Sequence, residues 1–161
     1  MRIVRTTLSL PAVLLLAAPF ALTQEKPETE SRVTMRSLPA PVQQTVNEQR
    51  KGAILRGLAK EVENGQTFYE AELTVKGHNK DVLMDPSGKI VEIEEQVTLA
   101  SLPPAVKTEI VKQAGKGRIL LVESVTKENA IVAYEAHVRT GKKVSEIKVD
   151  PAGKPITEHN N

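Results

Sequence analysis

Cysteine and tryptophan are absent from the 161 residues, and the only aromatic residues besides histidine are Phe20, Phe68, Tyr69 and Tyr134. Without cysteine there are no disulfide staples, no thiol nucleophile and no thiolate metal ligand. Lipid attachment through a cysteine is excluded too. With so few aromatics the core must be aliphatic, and each buried aliphatic side chain contributes about 1.5–3 kcal/mol. A surplus of one charge is also missing. Basic residues number 22 and acidic residues 20, and Arg2 and Arg5 at the start account for the difference. The remainder therefore lacks the basic footprint of a nucleic-acid binder and the polybasic patch of a membrane anchor.

One long apolar run is present. Residues 8–22 are apolar except for Ser9, with Pro11 and Pro19 breaking the run, and Thr23-Gln24-Glu25-Lys26 turns polar. A positive start, a short apolar stretch and a polar exit make a secretory signal. The run is shorter than the roughly 20 residues that span a bilayer. Ala21 and Thr23 place cleavage after Thr23, giving a signal peptide over 1–23. The expected product is soluble and exported, periplasmic or extracellular, with no membrane association once the signal is removed. Residues 24–36 are polar and without period, and read as a flexible leader.

The body repeats. Ser37-Leu38-Pro39 returns as Ser101-Leu102-Pro103, and Val42 and Val46 return as Val106 and Ile110. Tyr69-Glu70-Ala71 returns as Tyr134-Glu135-Ala136, and Asp85-Pro86-Ser87-Gly88-Lys89 as Asp150-Pro151-Ala152-Gly153-Lys154. Matches in one order indicate a duplicated supersecondary unit, here 37–99 and 100–161.

Each copy opens on a helix. Ser-Leu-Pro suits a first helical turn, with Ser37 and Ser101 as caps. Leu102, Val106, Ile110 and Ala114 share one helix face by their spacing. Gly52, and Gly115 or Gly117, are candidate helix ends. Strands follow over 53–62 and 118–126, with Asn64-Gly65 as a hairpin turn. Over 68–76, Tyr69, Ala71, Leu73 and Val75 alternate with Glu70, Glu72 and Lys76, which means a sheet with one dry and one wet face. Further strands are expected over 131–140, 80–85, 143–150 and 90–97, with a short last strand at Pro155-Ile156. The Asp-Pro-x-Gly segments fit type I turns. A calcium loop needs more oxygen ligands than they supply. The five residues from Gln96 to Ala100 contain no Gly or Pro, so the copies are expected to join rigidly across an apolar seam. The fold class expected is α+β: two tandem units, each a helix followed by an antiparallel sheet of three to four strands, the helix packed on one sheet face.

Leu38-Pro39 with Val42, Tyr69-Glu70 and 85–89, together with Leu102-Pro103, Val106, Tyr134-Glu135 and 150–154, resemble the PepSY-like family. More narrowly, the chain is similar to exported PepSY-like proteins related in fold to β-lactamase-inhibitor protein. The resemblance covers 37 to about 156 and implies a helix packed on an antiparallel sheet, used twice. It also implies a restraining or binding role, since the family occurs in propeptides of secreted metallopeptidases and in free-standing exported proteins. No peptidase domain follows, so the expected role is in trans. The resemblance carries no catalytic residues.

The residues support the same negative reading. His78, His137 and His159 lack the short spacing of a zinc pair. Glu92 and Glu94 share a strand face by alternation, and Glu70, Glu72, Glu95 and Glu135 add further carboxylates. Paired acids do acid–base work only where burial separates their pKa values, and a solvated sheet face accounts for them more simply. No catalytic, cofactor-binding or metal residue is therefore expected. The expected function is a non-catalytic module that binds or inhibits another protein, such as a secreted or envelope peptidase, through its sheet surface. The alternative is an envelope sensor of a small ligand or metal ion.

Overall fold

The computed structural model describes residues 29–157. The signal segment, its cleavage point, the first residues of the leader and His159 lie outside the described residues. Thr29–Arg32 form β1, and Met35–Ser37 make a single 3-10 turn. Helix α1 is Ala40–Gln49, and the strands β2 Ile54–Glu63, β3 Gln66–Val75, β4 His78–Met84 and β5 Ile90–Gln96 follow. Helix α2 is Pro104–Ala114, followed by β6 Arg118–Lys127, β7 Ala130–Thr140 and β8 Lys143–Val149.

Turn chemistry fixes the hairpins. Asn64 and Gly65 both take positive φ, 49° and 79°, as a two-residue hairpin turn requires. Asp85 and Asp150 each close an Asp-Pro-x-Gly turn, with Gly88 N–H donating to the Asp85 carbonyl and Gly153 N–H to that of Asp150, both at 2.9 Å. Each Asp Oδ1 also accepts from two backbone N–H groups of its turn, such as Ala152 at 2.9 Å and Lys154 at 2.8 Å.

The expectation of two helix-plus-sheet units is overturned. All eight strands form one antiparallel sheet in the order β1-β2-β3-β4-β5-β6-β7-β8, and the sheet curls. The halves meet in a hydrogen-bonded ladder pairing Ile93 with Thr126, Glu94 with Val125, Glu95 with Ser124 and Gln96 with Glu123. Val97 N–H extends it to the Val122 carbonyl at 2.9 Å. An unpaired row of N–H and C=O groups on β5 and on β6 would be costly, and pairing them satisfies both edges at once.

The leader is corrected at its end. Thr29–Arg32 pair with β2, Arg32 opposite Ala59, as Gln96 pairs with Glu123 at the seam. Ser37 and Ser101 do not cap the helices, whose N-caps are Pro39 and Pro103. Their hydroxyls instead donate at 2.8 Å to the carbonyls of Thr34 and Thr98, tightening the turn before each helix. Gly115, at φ 54°, ends α2.

Both helices lie on one sheet face. Val42 and Val46 bury fully against Leu58, Ala71, Leu73, Val82 and Met84. Val106 and Ile110 do the same against Val122, Ala136, Val138 and Val149. Val97 and Leu99, leaving the seam, pack into this second cluster. The opposite face carries no helix among the described residues.

Candidate functional site

Alternation sends every second strand residue to the helix-free face, and the register decides which of them meet. Glu30 lies opposite Glu61. Asp81 lies between Glu72 and Glu94, and Leu83 between Glu70 and Glu92. Glu135 lies between Glu123 and Lys148, and His137 opposite Glu146. The face is thus a broad acidic field with few cations.

The cations at the centre of the face are already engaged. A bulge between Leu55 and Gly57 re-aims Arg56 over the face. There its guanidinium meets Asp81 at 2.8 Å and Glu72 at 3.9 Å. Arg32 pairs with Glu72 at 2.6 Å. Gly57 leaves the room for that pair, because a Cβ there would lie 2.3 Å from the Arg32 guanidinium and 2.6 Å from the Glu72 carboxylate. Lys127 pairs with Glu92 at 2.5 Å, His137 approaches Glu123 at 3.4 Å, and Lys148 pairs with Glu135. Glu61, Glu70 and Glu94 have no such pair among the described residues.

These three line one cleft of about 210 Å³ with Asp81, Glu92 and Leu83. Five carboxyls surround one leucine, which is unlike the mostly apolar pockets of small-molecule sites. Burial, then the charges of Glu61, Asp81, Glu72 and Glu30, raises the Glu70 pKa to about 7. Burial, then Glu135 and Glu92, raises that of Glu94 to about 9. Glu61 is raised by burial and by Glu30 and Glu63, while a hydrogen bond from Glu70 lowers it. Asp81 is raised by burial against the opposing pull of Arg56.

The histidines stay apart: His78 begins β4 opposite Val75, and His137 sits on the face beside Glu123. Among the described residues no group of three or more His, Asp or Glu could hold a metal ion. Glu70, Glu72, Glu92, Glu94 and Glu135 do share the helix-free face, whereas Glu95 pairs with Lys80 at 3.4 Å on the other side. The face is not the freely solvated row that alternation suggests, since Glu123 and Glu135 are only 3% and 4% exposed. Sequence reasoning missed Glu61, Asp81, Glu123 and Arg56. Alternation marks the first three only once their strands are placed, and nothing local announces the bulge at Arg56.

No protein-family model matches the chain, and no curated protein matches it either. Solved structures do. A Bacteroides eggerthii protein described as periplasmic superposes with a TM-score of 0.60 at 19% identity, covering 74% of this chain and 86% of that one. A DUF2874 family protein from Bacteroides uniformis gives 0.57 at 21% identity, covering 74% and 86%. A BLIP-like protein from Bacteroides fragilis gives 0.51 at 18%, covering 73% and 82%. The chain has a BLIP-like fold. At these identities the likeness concerns the fold, and the relation in fold expected from the sequence holds. No helix among the described residues is long and apolar enough to cross a membrane.

Proposed function

We propose that this chain is an exported, non-catalytic, PepSY-like protein that binds another protein through the helix-free face of its sheet. The observation that carries the reading is that face itself. It runs across eight strands, and both helices pack on the opposite side. Its groups are ion-paired carboxylates and a shallow acidic cleft. Among the described residues no Ser or Thr hydroxyl of this face is hydrogen-bonded to a carboxylate or histidine, the nucleophile–base contact that covalent catalysis by a hydroxyl requires. The periplasmic description of fold neighbours and the secretory pattern of 1–23 favour an envelope or extracellular partner. The resemblance to PepSY-like proteins favours a secreted or envelope enzyme, such as a peptidase, as that partner. A face of this kind can supply roughly 800 Å² to a standard interface.

The test is capture from envelope extract by immobilised mature protein, compared with two double variants. Phe68→Asp with Glu61→Lys alters the helix-free face, and Glu48→Lys with Lys107→Glu alters the exposed sides of the helices. A saturable partner should bind the wild type and the helix variant alike, and the face variant at least about tenfold more weakly, equivalent to about 1.4 kcal/mol. Equal capture by all three proteins, or no saturable partner, contradicts the reading.

A further inference from the structure

The acidic cleft has more carboxyls than its surroundings can hold ionised. Five carboxyls converge on Leu83. Among the described residues two cations pair with them, Arg56 with Asp81 and Lys127 with Glu92. Asp81 and Glu94 are directly opposed on neighbouring strands, and like charges so placed repel. Two half-buried carboxyls side by side relieve that repulsion when one keeps its proton and donates it to the other. Glu61 and Glu70 lie diagonally across β2 and β3, opposite Phe68 and Ala59, and Glu92 and Glu94 lie two residues apart on one face of β5, so each pair is placed to share a proton.

We infer that the cleft is a proton-held charge switch: two carboxyl–carboxylate pairs, Glu70 with Glu61 and Glu94 with Glu92, are neutralised by protons where no cation reaches them, and loss of those protons turns the centre of the face strongly negative. The groups facing these pairs all bear on the switch. From β1 comes Glu30, and from β2 come Glu63 and Arg56. Asp81 on β4 and Glu72 on β3 add negative charge, with Glu72 held by Arg32. From β6 come Glu123 and Lys127. From β7 come Glu135 and His137, with Lys148 and Glu146 of β8 behind them. Cations in this surround are tied to Glu72, Asp81, Glu92 and Glu135. The pairs at Glu70 and Glu94 are left to be neutralised by protons. The raised values at Glu70 and Glu94 agree with that arrangement. As a consequence, a partner docking on this face meets a nearly neutral cleft in acid and an anionic one in base. That consequence rests on the docking reading; the switch itself does not.

The sign of the stability effect follows. Both carboxyls bind their protons more tightly in the folded chain than in the unfolded one. Stability is therefore highest in mild acid and falls as pH rises from the unfolded value of 4.5 toward about 7 for Glu70 and about 9 for Glu94.

The decisive experiment is a pH titration of mature full-length protein carrying 13C-labelled glutamate side chains, read at each carboxyl carbon. At least two glutamates should titrate above about pH 6, near the values given for Glu70 and Glu94, against an ordinary glutamate near 4.3. In thermal melts the wild type should lose stability from about pH 5.5 to about pH 9, and Glu94→Gln and Glu70→Gln should each flatten that loss. If every glutamate titrates below about pH 6, or if both variants follow the wild-type slope, the switch is disproved. The wild-type titration needs no variant to fold. It also involves no partner, so its failure leaves the docking reading standing, and failure to capture a partner leaves the switch standing.

Discussion

Gly88→Val and Gly153→Val should each destabilise the protein by about 2–4 kcal/mol, lowering the melting temperature by roughly 6–16 °C. Two causes add. Gly88 and Gly153 hold φ of +81° and +86°, a region that β-branched residues resist. Both turns are also pressed against the first turn of a helix. A Cβ at Gly88 would lie 2.7 Å from the Pro41 carbonyl oxygen, and one at Gly153 2.8 Å from the Ala105 Cβ. Thr45 Oγ1 fixes the first contact by donating to the Gly88 carbonyl at 2.7 Å. Gly65 separates the causes, since it has φ of +79° but nothing within 4 Å of a Cβ. Gly65→Val should therefore cost less than Gly88→Val. Equal melting temperatures for the wild type and both turn variants would show that these turns are not held as described.

Leu73→Ala and Ile110→Ala should each destabilise by about 2–5 kcal/mol, the range for a large buried aliphatic truncated to alanine. Leu73 is fully buried on β3 under α1, and Ile110 on α2 over β6, β7 and β8. They belong to separate apolar clusters, so the reach of each cavity reports how firmly the halves are joined. The seam ladder from Ile93 to Gln96 makes the sheet one body. Urea unfolding followed at Tyr69 in one cluster and Tyr134 in the other should show one shared midpoint in each variant, shifted from wild type without a change of slope. A Leu73→Ala protein in which only the Tyr69 signal moves would show two independent units.

Local features were legible in the sequence where local chemistry decides them. The helix faces were readable from the spacing of Val42, Val46, Val106 and Ile110, which the structure buries completely. The turns at Asn64-Gly65 and at the two Asp-Pro-x-Gly segments were readable because positive φ and Asp side-chain acceptors leave few alternatives. Strand partnership was not readable. Periodicity tells which face a residue takes, but nothing in 90–97 states that its second edge meets β6, because that pairing spans some thirty residues and is selected by edge satisfaction. The edge strand β1 was hidden for another reason. Thr-Glu-Ser-Arg is polar because every one of its residues is exposed, so hydropathy reads it as leader. A signal was present all the same. Val33-Thr34 precedes Ser37-Leu38-Pro39 as Val97-Thr98 precedes Ser101-Leu102-Pro103, so the internal match begins earlier than the helix and brings a strand with it.

The acidic face shows the same division. Alternation put Glu92 with Glu94 and Glu70 with Glu72, each within its own strand, and the register brings both pairs and Glu135 onto one face while Glu95 falls on the other. Their burial and crowding depend on Asp81, Glu61 and the Arg56 bulge lying beside them, which is a matter of register.

Both the docking reading and the charge switch presuppose a single face running unbroken from one half to the other. Native-state hydrogen exchange at the seam tests that premise most directly. The ladder amides of Ile93 to Gln96 and Glu123 to Thr126 should exchange only through global unfolding, with the same opening free energy and denaturant dependence as the amides of Leu73 and Val138 at the centres of the two clusters. Seam amides that open far more easily than both cluster centres, while each centre keeps a stability of its own, would contradict one continuous sheet.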